Sequence, residues 1–180
     1  TFKMSVNLNN FEKVKKVGEG SFGKVYLIED KDTEKQYCAK ISRNVIEDNY
    51  LDDLINLITE VSLFSKFEHP SIIKFIGYST VDFNNNPKPV IIMECCPNGT
   101  LKDAISKEKY SQALPWYDDT IKLIIIYGIA SAMSYLHSHD ILHRDLKTDN
   151  VLLDAYLYPK IADFGLAAIM SNLKEKESNT

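Results

Sequence analysis

The sequence predicts an α+β fold, in which strands occupy the first half of the chain and helices open the second half. Residues 24–29 (KVYLIE) alternate between apolar and polar side chains, as in a half-buried strand. Residues 118–137 contain the most apolar run of the chain, at 123–136, and are typical of a long buried helix. Residues 97–99 (PNG) break the chain between these parts, and strands followed by helices are typical of the α+β class.

The strand-rich part is predicted to hold three strands, one helix and two further strands. The five strands are expected at Phe11–Val17, Lys24–Glu29, Gln36–Ile41, Ile72–Tyr78 and Pro89–Glu94. From about Asp48 to Lys66, apolar residues recur at three- and four-residue steps, which indicates an amphipathic helix after the third strand. The sequence of residues 84–87 (NNNP) predicts a turn between the last two strands.

The second part is predicted to begin with two helices. Thr100 is expected to cap a short helix, and a long helix is expected over 118–137. Short strands are expected at Val151–Leu153 and around Lys160–Ile161. The uncharged run 123–136 has 14 residues, whereas a membrane span needs roughly 20. We therefore expect a buried core helix there.

Composition and charge predict a cytoplasmic globular protein. The 180 residues are 44% apolar and 26% charged, and the formal net charge is −4. These values give no reason to expect binding to nucleic acid or to an anionic membrane. Residues 1–11 lack the apolar core of a signal peptide. Cys38, Cys95 and Cys96 lack metal-ligand spacing, so we expect reduced thiols that are buried or line a cleft.

A glycine-rich segment (GEGSFGKV) is the first candidate binding site. It comprises Gly18, Glu19, Gly20, Ser21, Phe22, Gly23, Lys24 and Val25. Glycines let a backbone turn tightly and lie close over phosphate oxygens. The dinucleotide-binding fingerprint is the main rival, but it requires a helix directly after the glycines. Because a strand is predicted there, we expect a hairpin between strands, and taken alone it remains compatible with a simple glycine-rich hairpin.

A second candidate is Lys40, which lies in the middle of an apolar strand (YCAKI). Burying a lysine is costly unless an anionic group meets it. Lys40 is therefore either an edge lysine that reaches water or a cation directed at phosphate. Glu60, on the predicted helix, is a candidate partner, although a glutamate on a helix is usually only solvated.

The third motif decides the interpretation. It runs from His143 to Asn150 (HRDLKTDN), and Asp163-Phe164-Gly165 begins thirteen residues after Asn150. With these residues the sequence resembles the eukaryotic protein kinase family, over Phe11 to Met170 and with the motifs in family order. The resemblance implies a bilobal protein-kinase-like fold. Its parts would be an extension (1–10), a complete five-stranded N-lobe with one helix (11–98) and a partial helical C-lobe ending in the activation loop (99–180).

The resemblance also implies roles in phosphoryl transfer. Asp145 would accept or orient the proton of the attacking hydroxyl, and Lys147 would offset charge on the transferring phosphate. Lys40 would hold the α- and β-phosphates of ATP, kept in line by Glu60. Two further residues, Asn150 and Asp163, would hold Mg²⁺ ions that bridge phosphate oxygens. ATP and Mg²⁺ are thus the implied cofactors.

Two further sets of residues are implied in the same way. The adenine pocket would be formed by Val17, Val25, Ala39 and Leu152, with Met93 as gatekeeper and a hinge at Glu94, Cys95 and Cys96. As a plain alternative, these are core residues of two lobes. A packed stack rather than acid–base chemistry is expected for His143 and Phe164, together with Phe64 and Phe75.

The type of kinase is suggested by the residues around Asp145. Lys147 is typical of serine/threonine-directed kinases, and Arg144 suggests control by activation-loop phosphorylation. The candidate hydroxyls are Ser171, Ser178 and Thr180. The tyrosine-kinase-like group is suggested by segments 68–79 (EHPSIIKFIGYS), 97–105 (PNGTLKDAI) and 128–138 (GIASAMSYLHS).

The implied function is ATP-dependent phosphorylation of serine or threonine in protein substrates, with regulatory partners of the full-length protein left open. No APE motif follows the DFG residues, and the polar end 171–180 is expected to be disordered. We expect this fragment alone to expose an apolar patch and to lack activity. The alternative is a non-catalytic nucleotide-binding scaffold, although none of the residues that such proteins usually lose is missing here.

Overall fold

The computed structural model describes residues 5–20, 23–43, 61, 65, 67–110, 112, 114–115, 117–164 and 167–169. The chain divides into two compact units. The first unit comprises residues 1–67 and 74–95, and the second comprises residues 68–73 and 96–180. Segment 68–73 thus belongs to the helical second unit, although the sequence placed part of it in a strand of the sheet.

The first unit contains a five-stranded antiparallel sheet in the order β1-β2-β3-β5-β4. Its strands are β1 (Phe11–Gly20), β2 (Gly23–Asp30), β3 (Gln36–Ser42), β4 (Phe75–Ser79) and β5 (Val90–Glu94). All five predicted strands are present, but the predicted start of β4 at Ile72 was wrong. Ile72 bridges to Ile161 instead, and Ile73 N donates to Ile161 O at 2.9 Å. Ile72 and Ile73 are buried in the second unit and not in the sheet, which explains why this apolar run was mistaken for the start of a strand.

The core of the first unit fixes which way the side chains of β3 point. Among the described residues, a cluster of this core contains Leu8, Ile28, Ala39, Val90 and Ile92, all of them buried. Ala39 lies between Tyr26 on β2 and Ile92 on β5. Successive residues of a strand face opposite sides of a sheet, so Lys40 faces away from this core.

The predicted helix over residues 48–66 lies outside the described residues except at two positions. Val61 is helical and buried. Ser65 N donates to Val61 O at 2.9 Å, which is the hydrogen-bond spacing of an α-helix. Glu60 and Phe64 are not among the described residues.

The second unit contains the two predicted helices. Its elements are α1 (Leu101–Lys109), α2 (Asp119–Ser138), β6 (Ile141–Leu142), β7 (Val151–Leu153), β8 (Pro159–Ile161) and β9 (Ala168–Ile169). Thr100 caps α1 as predicted, since its hydroxyl accepts from Asp103 N at 3.0 Å while the Asp103 carboxylate accepts from Thr100 N at 3.3 Å. The paired strands β7 and β8 were predicted, whereas the two-residue pair β6 and β9 was not.

Helix α2 is buried on one face only, so its prediction as a buried helix was partly wrong. Its buried residues are Ile125, Gly128, Ala132 and Leu136. A side chain at Gly128 would collide with Pro159 on β8 and with Ser71, which shows how closely α2 approaches them. In contrast, Leu123, Ile126 and Tyr127 are 63–76% exposed. By length and composition α2 could also cross a membrane, a test that core helices of soluble proteins pass too.

Candidate active site

The loop between β6 and β7 carries the HRDLKTDN residues and has an unusual backbone. Arg144 and, further along the chain, Asp163 have positive φ angles of 62° and 65°. Such angles are strained for residues other than glycine and are found preferentially at functional sites. Backbone hydrogen bonds hold this region, since Asn150 N donates to Lys147 O and Ala162 N donates to Asn150 O, both at 2.9 Å.

Asp145 and Lys147 form an ion pair within this loop. Lys147 Nζ donates to Asp145 Oδ2 at 2.7 Å and to Oδ1 at 3.0 Å. The hydrogen bond from Lys147 is the main cause that lowers the pKa of Asp145, and Asn150 adds to it against the opposing effect of burial. The same bond raises the pKa of Lys147. At neutral pH an anionic carboxylate and an ammonium cation therefore lie side by side.

Asn150 fixes the position of Asp145 from the other side. Its Nδ2 donates to Asp145 O at 2.8 Å and to Asp145 Oδ2 at 2.9 Å. Asn150 is only 7% exposed, so this amide is held inside the second unit. One side chain thereby holds both the backbone and the carboxylate of Asp145, which limits the rotamers that the carboxylate can adopt.

His143 is buried beneath the loop. Asp145 N donates to His143 Nδ1 at 3.3 Å, so Nδ1 is the acceptor and Nε2 donates to Ala162 O at 3.0 Å. The ring lies edge-on to Phe164, with 4.9 Å between ring centroids. Burial is the main cause that lowers the pKa of His143, which keeps the imidazole neutral. These contacts agree with the predicted packing role of His143 and Phe164.

The glycine-rich segment lies at the closed end of the β1–β2 hairpin. Gly18 pairs with Val25, and Gly20 pairs with Gly23, the first residue of β2. A strand therefore follows the glycines, which confirms the hairpin and excludes the dinucleotide-binding arrangement. Gly23 has a φ of 146°, and a side chain there would overlap the carbonyl oxygen of Ile41. Ser21 and Phe22 lie outside the described residues.

Two polar residues of the same hairpin face each other on the surface. Glu19 pairs in register with Lys24. The Glu19 carboxylate also forms ion pairs with Lys16 at 2.9 Å and with Arg43 at 3.5 Å. Lys16 is the main cause that lowers the pKa of Glu19. Exposed pairs of this kind contribute little to stability, so we assign them no structural role beyond orienting the Glu19 side chain.

Lys40 lies at the centre of the sheet. It is opposite Val25 on β2 and Ile91 on β5, and it is partly buried. Because the neighbouring Ala39 is fully buried on the core side, Lys40 presents its ammonium group on the opposite face. Its proposed partner Glu60 lies outside the described residues, so the Lys40–Glu60 pair stays a prediction.

Comparison with known proteins assigns the family. The model of the protein kinase domain matches residues 11–180. The chain belongs to the protein kinase domain family. The five-stranded sheet of the first unit is therefore the N-lobe sheet of a kinase domain, and the helical second unit contains C-lobe elements of the bilobal fold.

Several relatives of this kinase domain are named serine/threonine-protein kinases. A probable serine/threonine-protein kinase of Dictyostelium discoideum is 37% identical over 86% of this chain and 14% of its own length. The serine/threonine-protein kinase AtPK2/AtPK19 of Arabidopsis thaliana is 33% identical over 97% of this chain and 34% of its own length. Human serine/threonine-protein kinase 32B is 30% identical over 96% of this chain and 39% of its own length. The chain thus spans well under half the length of each of these relatives.

Asn150 and Asp163 suit the magnesium ions that the kinase fold implies. The NH₂ group of Asn150 is directed at Asp145, so its carbonyl oxygen, the atom that a hard cation prefers, lies outside those hydrogen bonds. The Asp163 carboxylate is partly exposed and lies near Lys147 and His143. The described residues contain no cluster of three or more His, Cys, Asp or Glu side chains that could hold a metal alone. Mg²⁺ commonly completes its shell with substrate phosphates and water, so it does not require such a cluster.

The residues predicted to bind adenine are distributed over both units. Met93 is buried, Val25 is partly buried, and Val17 is 49% exposed on β1. Ala39 is buried in the core of the first unit, on the face opposite Val25 and Lys40, so the structure does not place it on one face with Val25 as the predicted adenine pocket requires. At the predicted hinge, Glu94 N donates to Lys74 O at 2.9 Å, and the Glu94 carboxylate accepts from Lys74 N at 2.8 Å. Two further members, Cys96 and Leu152, are partly buried residues of the second unit. Their joint role in adenine binding stays a prediction.

Sequence reasoning missed two contacts near these sites. Lys102 Nζ on α1 donates to Asp149 Oδ1 in the loop between β6 and β7 at 2.7 Å. Cys38 and Cys95 approach each other with 3.4 Å between their sulfur atoms. The partners are 47 and 57 residues apart, and no local spacing pattern connects residues at such separations.

Proposed function

We propose that this chain is the ATP-binding part of a protein kinase that transfers the γ-phosphoryl group of ATP to serine or threonine hydroxyls of protein substrates. The observation that carries the proposal is the arrangement of Asp145, Lys147 and Asn150. An ionised carboxylate, an ammonium group and an amide are held together by hydrogen bonds of 2.7–3.0 Å. Positioning and charge neutralisation of this kind are the main protein contributions to phosphoryl transfer.

Asp145 is suited to orient the attacking hydroxyl. Its lowered pKa keeps the carboxylate ionised at neutral pH, so it accepts the hydroxyl hydrogen bond. With Asn150 and Lys147 bound to it, the carboxylate is already fixed before a substrate arrives, and less reorganisation is required in the transition state. Lys147, whose side chain is 49% exposed, can then neutralise negative charge on the phosphoryl oxygens.

The remaining roles follow the family pattern. Asn150 and Asp163 would hold Mg²⁺, which supplies charge neutralisation of the phosphate oxygens when it is bound. Lys40 would contact the α- and β-phosphates, and the glycine hairpin would cover them with its backbone. Lys147 supports a preference for serine and threonine over tyrosine. Segments 68–79, 97–105 and 128–138 support membership of the tyrosine-kinase-like group, and composition supports a cytoplasmic location.

A phosphotransfer assay on the full-length protein tests this function. Wild type is compared with Asp163→Ala and with Asp149→Ala, which removes another carboxylate of the same region, using Mg²⁺, labelled ATP and a general serine/threonine substrate. We expect phosphotransfer by wild type and by Asp149→Ala. Asp163→Ala should lose it, because Asp163 is the one of these two carboxylates that is assigned to metal binding. Equal activity of all three proteins would contradict the proposal. Nucleotide binding without transfer in any of them would favour the scaffold alternative.

A further inference from the structure

Two of the three cysteines are in contact on one face of the sheet in the first unit. Cys38 lies on β3, and Cys95 directly follows the last residue of β5. The Cys38 thiol donates to Cys95 Sγ with 3.4 Å between the sulfurs, and both residues are partly buried. Neither cysteine is in a disulfide. The sequence predicted reduced thiols but gave no reason to bring these two together.

Strand register explains the contact. Cys38 pairs with Met93 in the antiparallel β3–β5 ladder, and the last pair is Tyr37 with Glu94. Residues two apart on a strand share a face, so Cys95 is the diagonal neighbour of Cys38 on the face of Met93. Since Cys95 lies just beyond the last paired residue, its backbone is not bound by this ladder and is less restricted than that of Cys38.

The surroundings of the two sulfurs make Cys95 the more nucleophilic of the two cysteines. The hydrogen bond from Cys38 is the main cause that lowers the pKa of Cys95 to about 7, with a further contribution from Lys15 on β1 and an opposing one from burial. The lowered pKa increases the fraction of Cys95 that is thiolate at neutral pH, and the thiolate is the nucleophilic form of cysteine. Cys95 is therefore the attacking sulfur of the pair, and Cys38 is positioned to resolve its oxidised form.

We propose that Cys38 and Cys95 are a redox-active thiol pair, which a hydroperoxide converts into an intramolecular disulfide. The Cys95 thiolate attacks the hydroperoxide oxygen, the O–O bond breaks, and the leaving hydroxide or alkoxide takes up a proton. Cys38, as it loses its proton, then attacks the sulfur of the Cys95 sulfenic acid, and the S–O bond breaks to release water. Two thiols are oxidised to one disulfide, and one hydroperoxide is reduced to water and a second water or an alcohol.

The required movement is small. A disulfide has a sulfur–sulfur distance of about 2.05 Å, so the two sulfurs must approach by about 1.4 Å from their present separation of 3.4 Å. Diagonal neighbours on paired strands lie about 7–8 Å apart, so a shift of the chain at Cys95, just beyond the ladder, must accompany side-chain rotation to bring the two residues within disulfide range. The reaction does not depend on phosphotransfer, so its test is independent of the proposed kinase function.

Thiol counting and mass spectrometry test the proposal on the full chain. Folded protein is treated with hydrogen peroxide at pH 7, the remaining thiols are alkylated, and the protein is digested and mapped. Within residues 1–180, we expect the number of alkylated thiols to fall from three to one. We also expect the mass to fall by two hydrogens and a linked pair of peptides to contain Cys38 and Cys95. Three alkylated thiols after treatment, or a linkage that includes Cys96, would overturn the proposal.

Serine variants separate the roles of the two sulfurs. In Cys38→Ser the sulfenic acid cannot be resolved, so a dimedone adduct should accumulate on Cys95, whereas Cys95→Ser should give neither adduct nor disulfide. The matched control Cys96→Ser should still form the disulfide at the wild-type rate. A dimedone adduct on Cys38 in Cys95→Ser would reverse the assigned roles and contradict the proposal. If a variant fails to fold, the thiol count and peptide linkage of the wild type still decide.

Discussion

Two loops that carry the proposed chemistry are built in different ways. Between β6 and β7, Asp145 is held by side-chain hydrogen bonds from Lys147 and Asn150. At the end of the β1–β2 hairpin, the glycines are placed by strand register and by backbone conformation, as at Gly23. The first loop presents charged side chains and needs them fixed, whereas the second presents backbone and needs side chains to be absent.

The largest loss of stability is expected from a side chain at Gly23. Gly23→Ala should lower the free energy of unfolding by about 3 kcal/mol, because the new Cβ meets the Ile41 carbonyl at an unfavourable φ. Gly18→Ala is the matched control, since its Cβ would lie 3.9 Å from Val25, which is an ordinary contact. Chemical denaturation measures both. Equal effects of the two substitutions would show that backbone strain at Gly23 does not shape the hairpin.

A smaller loss of stability, together with a loss of activity, is expected when Asn150 is replaced. Asn150→Ala removes both hydrogen bonds to Asp145 and leaves the Asp145 carbonyl without this donor. We expect the free energy of unfolding to fall by about 2 kcal/mol, with a loss of activity that exceeds the loss of folded protein. Denaturation and phosphotransfer are compared on the same samples. Wild-type activity in the folded variant would mean that Asn150 does not position Asp145.

The buried histidine predicts a pH dependence. Burial lowers the pKa of His143 in the folded protein, so below its unfolded pKa of about 6.5 the unfolded state binds more protons. The contribution of neutral His143 to the free energy of unfolding is therefore fully present above about pH 6.5, and it is lost as the pH falls towards the lower pKa of the folded state. His69, whose pKa is also lowered by burial, contributes in the same direction. His143→Gln should reduce the slope of unfolding free energy between pH 5 and about 6.5, and His137→Gln, on α2, serves as control. An unchanged slope in His143→Gln contradicts the buried neutral state.

The smallest effect on stability is expected from the ion pair between α1 and the loop that joins β6 to β7. Lys102 and Asp149 are 60% and 45% exposed, so their 2.7 Å contact is largely solvated. Lys102→Ala should change the free energy of unfolding by less than about 1 kcal/mol, and added salt should reduce the difference further. A larger, salt-independent loss would show that this contact contributes to holding the loop.

The sequence was most informative where chemistry depends on local spacing. The glycine hairpin, the five strands and the HRDLKTDN loop follow from residues close together in the chain, and the structure confirms the strands and the hairpin. Ile72 was misassigned because an apolar run does not reveal whether a sheet or a helical unit buries it. The exposed side chains of Leu123 and Tyr127 on α2 agree with the apolar patch that was expected, whereas hydrophobicity alone did not show which face of α2 is buried.

Individual side-chain contacts could not be predicted from local spacing. The hydrogen bonds from Asn150 to Asp145 span only five residues, yet their direction depends on the fold of the loop. The contact between Cys38 and Cys95 depends on the register of β3 against β5, which no single-sequence pattern specifies. Membership of the kinase family was predictable, whereas the pairing of side chains required coordinates.

The most direct test of the central claim compares two carboxylates of the same loop. Asp145→Asn and Asp149→Asn are prepared in the full-length protein, and single-turnover phosphotransfer and ATP affinity are measured for each. Asp145→Asn should lose about 1,000-fold in rate while binding ATP as wild type does, because only the orientation of the hydroxyl is impaired. Asp149→Asn should stay close to the wild-type rate. A comparable rate for both variants would contradict the assignment of Asp145 as the residue that orients the phosphate acceptor.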